Sequence, residues 1–152
     1  MSGQNIINQN CEKDYQELNL FFDEIKNIYD VIIIDISSDE NLNYTEFILQ
    51  KTDIILFLTE GNLLEIKKAI NILNFYINEW HIRNNKINII FNKYNKNCID
   101  EKILKNIFID FNILGKINFN SNYSSMINKN MKNYLFYLKE KKEQKKILSK
   151  VL

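Results

Sequence analysis

Three short stretches set chemistry-bearing side chains directly behind strongly apolar runs. Val31-Ile32-Ile33-Ile34 delivers Asp35, with Ser37 two positions further on. Ile54-Ile55-Leu56-Phe57-Leu58 delivers Thr59 and Glu60, and Ile87-Asn88-Ile89-Ile90-Phe91 delivers Asn92 and Lys93. An acid, a hydroxyl and an amide are thereby offered at three run ends, side chains that could share one site. If the runs are neighbouring parallel strands, their carboxyl ends meet on one rim, where ligands of open α/β sheets gather. The plainer reading is that strand ends are polar because they meet water.

The elements that must position these residues follow from periodicity. Apolar runs without alternation are expected of strands buried on both faces. The expected strands are 31–36, 53–59 and 86–92, with a shorter one at 115–119 whose alternation places it nearer an edge. Between them lie helical patterns. Residues 13–28 carry Leu18, Phe21, Phe22, Ile25 and Ile28 at helical spacing, and 41–51 form a short helix. A long helix with Leu63, Ile66, Ile70, Leu73 and Ile77 on one stripe ends near Trp80-His81, and 100–111 supply another. Residues 128–152 are expected to be a terminal helix, and 1–11 to be loose or a small edge strand. The alternation predicts a single α/β domain over 1–152, a mostly parallel sheet of about four strands with helices on both faces.

Composition bounds the functions. The 152 residues, 45% hydrophobic, suffice for one domain with a core. The net charge of +1 gives no electrostatic case for nucleic acid. No apolar run approaches the roughly 18–20 residues that cross a bilayer, and residues 1–10 lack the basic and apolar parts of a secretory signal. Cys11 and Cys98 have no metal-like spacing and are expected to be free thiols. The expected location is cytoplasmic. With Arg83 the only arginine, no proline and many Asn, Ile and Lys residues, a Lys for Arg or an Asn for Asp carries little meaning.

The order of parts from about residue 15 to 150 resembles the second half of the MinD/ParA family of deviant P-loop ATPases, of the pilus-associated CpaE/TadZ type or the flagellar-number type. YDVIIID (29–35) looks like the Walker B strand, and KTDIILFLTEGN (51–62) with its long helix like the strand and helix that follow. KINIIFNKY (86–94) looks like the strand ending in an adenine-contacting Asn, and ILGKINFNSNY (113–123) like a late strand. The resemblance implies that Asp35 acts on Mg²⁺, that Asn92 reads adenine and that Ser37 lies in the segment sensing the γ-phosphate.

Residues 1–30 depart from that pattern. The phosphate cradle is a glycine-rich loop with a lysine, whereas here Gly3 stands alone among three glycines in all, Gly3, Gly61 and Gly115. The expectation is therefore a non-catalytic, pseudo-ATPase domain for localisation or protein–protein scaffolding, related to pilus or flagellum, with a protein partner or a second copy of itself. No cofactor is expected for these residues alone, and Asp35, Ser37 and Asn92 are candidates for a vestigial nucleotide site. Two alternatives stand beside it. One is a piece of an active ATPase, binding Mg-ATP once a phosphate-loop half is supplied. The other is a receiver-like domain with Asp35 as phosphoacceptor and Thr59 and Lys93 behind it. At the C-terminus, Ile147, Leu148, Val151 and Leu152 interleave with Lys145, Lys146 and Lys150. Such a basic amphipathic end could touch the inner membrane face or be a docked last turn.

Overall fold

Inward-facing Ile55, Phe57 and Thr59 alternate with outward-facing Leu56 and Leu58, and this alternation begins the sheet of the computed structural model. The structure describes residues 3–36, 43–120, 145–147 and 149–150. They fall into two compact units, divided between Lys51 and Thr52.

The first unit carries two helices. α1 spans Gly3–Lys26 and α2 spans Asn43–Lys51. The helix expected from residue 13 thus starts ten residues earlier, through the stretch expected to be loose. No proline interrupts it, and extending an existing helix costs far less than nucleating a new one. It ends as the Asn27 and Ile28 amides fold back to the carbonyls of Glu24 and Ile25, before the β-branched block. Aromatic side chains fasten the two helices together. Tyr15 lies 5.5 Å from Phe47, ring to ring, and buried Phe22 lies 6.1 Å from the same ring. Thr45 and Leu49 are buried beside them.

The strand expected at 31–36 is not a member of the sheet; these residues carry no regular secondary structure. Val31 and Ile33 are exposed, Ile33 to 87%. A run of β-branched residues states a preference for extended backbone, but a strand also needs a ladder partner, and local sequence does not supply one.

The second unit holds the sheet. Its strands are β1 (Ile55–Glu60), β2 (Ile87–Tyr94) and β3 (Asn112–Asn118), all parallel and in the order β1-β2-β3. Helix α3 (Leu63–Asn78) and a 3₁₀ turn (Asn84–Lys86) join β1 to β2, and α4 (Glu101–Ile107) joins β2 to β3. Among the described strands β2, buried from Ile87 to Phe91, is central, and β3, with its alternating exposure, lies at the edge that its pattern predicted.

Both crossovers pack on one face. Phe57 meets Tyr76 of α3 at 6.5 Å, and Phe91 meets Phe108 after α4 at 5.8 Å. Since Phe57 pairs with Ile89 in register, Phe57, Ile89 and Phe91 share that face. The helix stripe of α3, Ile66, Ala69, Leu73 and Tyr76, is buried, and Trp80 stacks on Tyr76 at 4.9 Å. Beyond Trp80 the helix has ended; His81 adopts φ 54° and the Ile82 amide closes onto the Tyr76 carbonyl. On the other face, Ile90 and Leu114 are covered by Ile147, from a helical turn at 145–147. The rest of the terminal helix expected at 128–152 lies largely outside the described residues.

Candidate functional site

The rim at the carboxyl ends of β1 and β2 is built from Thr59, Glu60, Gly61, Asn92, Lys93 and Tyr94. Thr59 is buried, and its hydroxyl donates toward the Glu65 carbonyl at 3.5 Å, inside the first turn of α3. That turn is capped by Asn62, whose side-chain oxygen accepts from the Glu65 amide at 3.0 Å. Glu60 reaches the other way. It accepts from Lys93 Nζ at 2.7 Å and from Asn62 Nδ2 at 3.3 Å. The neighbouring carboxylate raises the Lys93 ammonium above its ordinary pKa.

Asn92 is half-buried, and its side-chain oxygen accepts from the Lys93 amide at 2.9 Å. The contact helps to hold Lys93 at φ 50°, a left-handed conformation unusual outside glycine. The backbone turn points the lysine across the strand ends toward Glu60.

The next loop locks down over Gly61. The Ile99 amide donates to the Gly61 carbonyl at 2.8 Å, while the Tyr94 hydroxyl donates to the Ile99 carbonyl at 3.0 Å. Asn95 organises the loop tip by accepting from the Asn97 amide and donating to the Lys93 carbonyl. A β-carbon on Gly61 would stand 2.9 Å from Cys98 Cβ. Glycine is needed there for the close approach of two chain segments.

Beside this loop lies an open depression lined by Tyr94, Asn95, Lys96, Cys98 and Lys116. Lys116 sits 4.6 Å over the Tyr94 ring and 3.0 Å from Glu101, which also takes Lys105 at 3.0 Å. The hydrogen bond from Lys105, then that from Lys116, and their charges hold the Glu101 carboxyl down at about 2. In return Glu101 raises Lys116. The sequence reading did not single out this triad. Glu101 and Lys105 are one turn apart on α4, but Lys116 lies fifteen residues beyond Glu101 on β3, and only the crossover brings it to them.

The predicted site residues are placed as follows. Asp35 is exposed in the first unit, and Asn92 is on β2 of the second. Ser37 lies outside the described residues, as do Leu148, Val151 and Leu152. Ile147 is buried at 7% exposure against Ile90 and Leu114, and the Lys150 ammonium donates to the Leu114 carbonyl. The described part of the basic C-terminal segment is therefore docked on the sheet; Lys145 and Lys146 point to solvent.

The strand ends fit a Mg-nucleotide poorly. The oxygen with which Asn92 could read a base is engaged by its neighbour's amide, and the ammonium beside it is held by Glu60. No group of three acidic, His or Cys side chains suited to a metal occurs among the described residues, nor any helix long and apolar enough to cross a membrane. Compared with protein-family models, curated proteins and solved structures, the chain matches none of them.

Proposed function

We propose that this chain is a non-catalytic domain of MinD/ParA type that serves localisation or scaffolding by binding protein rather than turning over nucleotide. The observation that carries the reading is the 2.7 Å Glu60–Lys93 pair at the rim. The position where a nucleotide-binding sheet presents its ligand groups is spanned by an ion pair between adjacent strands. Asn92 on one side accepts from the Lys93 amide, and Thr59 on the other donates toward the Glu65 carbonyl of α3. Such a rim stabilises the strand ends against each other and leaves recognition to other surfaces. The apolar side chains exposed on β1 and just before it, Leu56, Leu58 and Ile54, are of the kind that protein partners cover. Asp35, Ser37 and Asn92 are on this reading remnants of a nucleotide site, and no cofactor takes part.

Isothermal titration of the purified chain with Mg-ATP tests it. The expected result is no heat of binding at micromolar nucleotide. Saturable micromolar binding would show that a working nucleotide site exists and overturn the reading.

A further inference from the structure

β1 is hydrogen-bonded on one side only, to β2, among the described residues. Its other side presents a row of main-chain donors and acceptors with no ladder partner among the described residues. Natural edge strands are usually blunted by a lysine, a proline or a bulge. β1 has no lysine, proline or bulge, and its one charged residue, Glu60, stands at its end in an ion pair with Lys93. From Ile54 to Thr59 no residue is charged, and its register with β2 runs unbroken from Ile55 to Glu60. The irregularities of the sheet lie instead between β2 and β3. The face of β1 turned away from α3 carries Leu56, exposed to 37%, and Leu58, to 54%, with Ile54 before the strand exposed to 42% and Glu60 at its end.

We propose that this edge pairs with β1 of a second copy of the chain, antiparallel about a two-fold axis at Phe57, to give a continuous six-stranded sheet. The sequence of the edge selects this occupant. In that register Leu56 of each copy stands opposite Leu58 of the other, so the exposed leucines cover one another as cross-strand pairs. Ile55 meets Thr59 on the α3 side. The two acids flanking the strand are kept apart: Glu60 falls opposite Ile54, and Asp53 opposite Gly61, so no like charges face each other. A strand whose apolar residues match their own mirror order is self-complementary, as an isologous interface requires. The ion pair from Lys93 further offsets the charge of Glu60 at each end of the seam. The purpose assigned to this dimer rests on the scaffolding reading above, although the pairing itself does not.

The test is charge exchange across the seam, read by sedimentation or light scattering on the full chain. The native chain is expected to be a dimer. Leu58→Lys and Leu56→Glu are each expected to be monomeric, because a charge without a partner then faces a leucine twice at the centre of the seam, unlike Glu60, which Lys93 pairs at the seam's ends. Both substitutions lie on an exposed face, and unchanged circular dichroism will show that the fold is kept. Mixing the two variants is expected to restore a mixed dimer, with Lys at 58 of one copy opposite Glu at 56 of the other. A native chain that stays monomeric overturns the proposal. So does a dimer indifferent to either substitution, or a mixture that fails to associate. A monomer whose β1 amides resist hydrogen exchange would mean that another segment or a different partner covers the edge. None of these failures bears on nucleotide binding, so the reading of the domain as non-catalytic is tested separately.

Discussion

The Ile99 amide donates to the Gly61 carbonyl at 2.8 Å, tying the loop after β2 to the turn after β1. Two connections that are distant in sequence thereby become one surface, and the spacing of their backbones is fixed by the missing side chain of Gly61.

Gly61→Ala is expected to destabilise the second unit by about 1–3 kcal/mol, the usual cost of overpacking. The new β-carbon would stand 2.9 Å from Cys98 Cβ and 3.2 Å from Tyr94 Cδ2. Removing the opposing β-carbon by Cys98→Gly should recover part of the loss. Urea unfolding of the two single variants and the double variant checks this. The expected coupling is about 1 kcal/mol, typical of residues in direct contact, and strict additivity would contradict the packing.

Acid should weaken the α4–β3 contact before it protonates Glu101 fully. A carboxyl depressed to about 2 contributes stability that is complete above its unfolded value, near 4.5, and is lost as pH falls from there toward 2. The triad is about half exposed, so solvent screening limits its worth to under about 1 kcal/mol at neutral pH. Glu101→Gln should therefore unfold slightly earlier than the native chain at pH 7. The difference should shrink as both are titrated from pH 4.5 to pH 2. Thermal melts across that range provide the measurement.

Ile147 offers a test of where the C-terminal segment resides. Its side chain is buried between Ile90 and Leu114. Ile147→Ala should cost about 2–4 kcal/mol, as for other buried isoleucines cut to alanine. The denaturant midpoint should fall accordingly, while co-sedimentation with anionic vesicles should not respond to the substitution. An unchanged midpoint with lost vesicle binding would assign the residue to a membrane surface instead.

Much of the second unit was legible because its signals are local. The apolar runs at 53–59 and 86–92 became β1 and β2 within two residues at each boundary; β2 is buried on both faces as its unbroken block predicts, whereas β1 is buried on one face only and exposes Leu56 and Leu58. The stripe on 62–80 became α3, and Asn62 caps it. The same rule misplaced 31–36, whose block is the strongest of all. Apolar continuity reports a preference for burial and extension, and pairing depends on a neighbour that the segment cannot encode by itself. The candidate site was legible only as a set of residue types. Asn92, Thr59 and Lys93 do sit at strand ends, but the directions of their side chains were set by Glu60, by the left-handed turn at Lys93 and by the cap of α3. These are contacts between strands or within turns, and spacing along the chain is silent about them.

The order β1-β2-β3 also has a kinetic consequence. Among the described residues every ladder joins strands consecutive in sequence, and β1 and β3 each pair with β2. Each βαβ closure is then a single loop of moderate length, and neither must wait for the other. The entropy lost on closing such loops grows only slowly with their size, and a topology of near-neighbour contacts folds fast for a parallel sheet. The second unit is thus expected to assemble outward from its buried central strand, with β1 and β3 arriving as independent events in refolding kinetics.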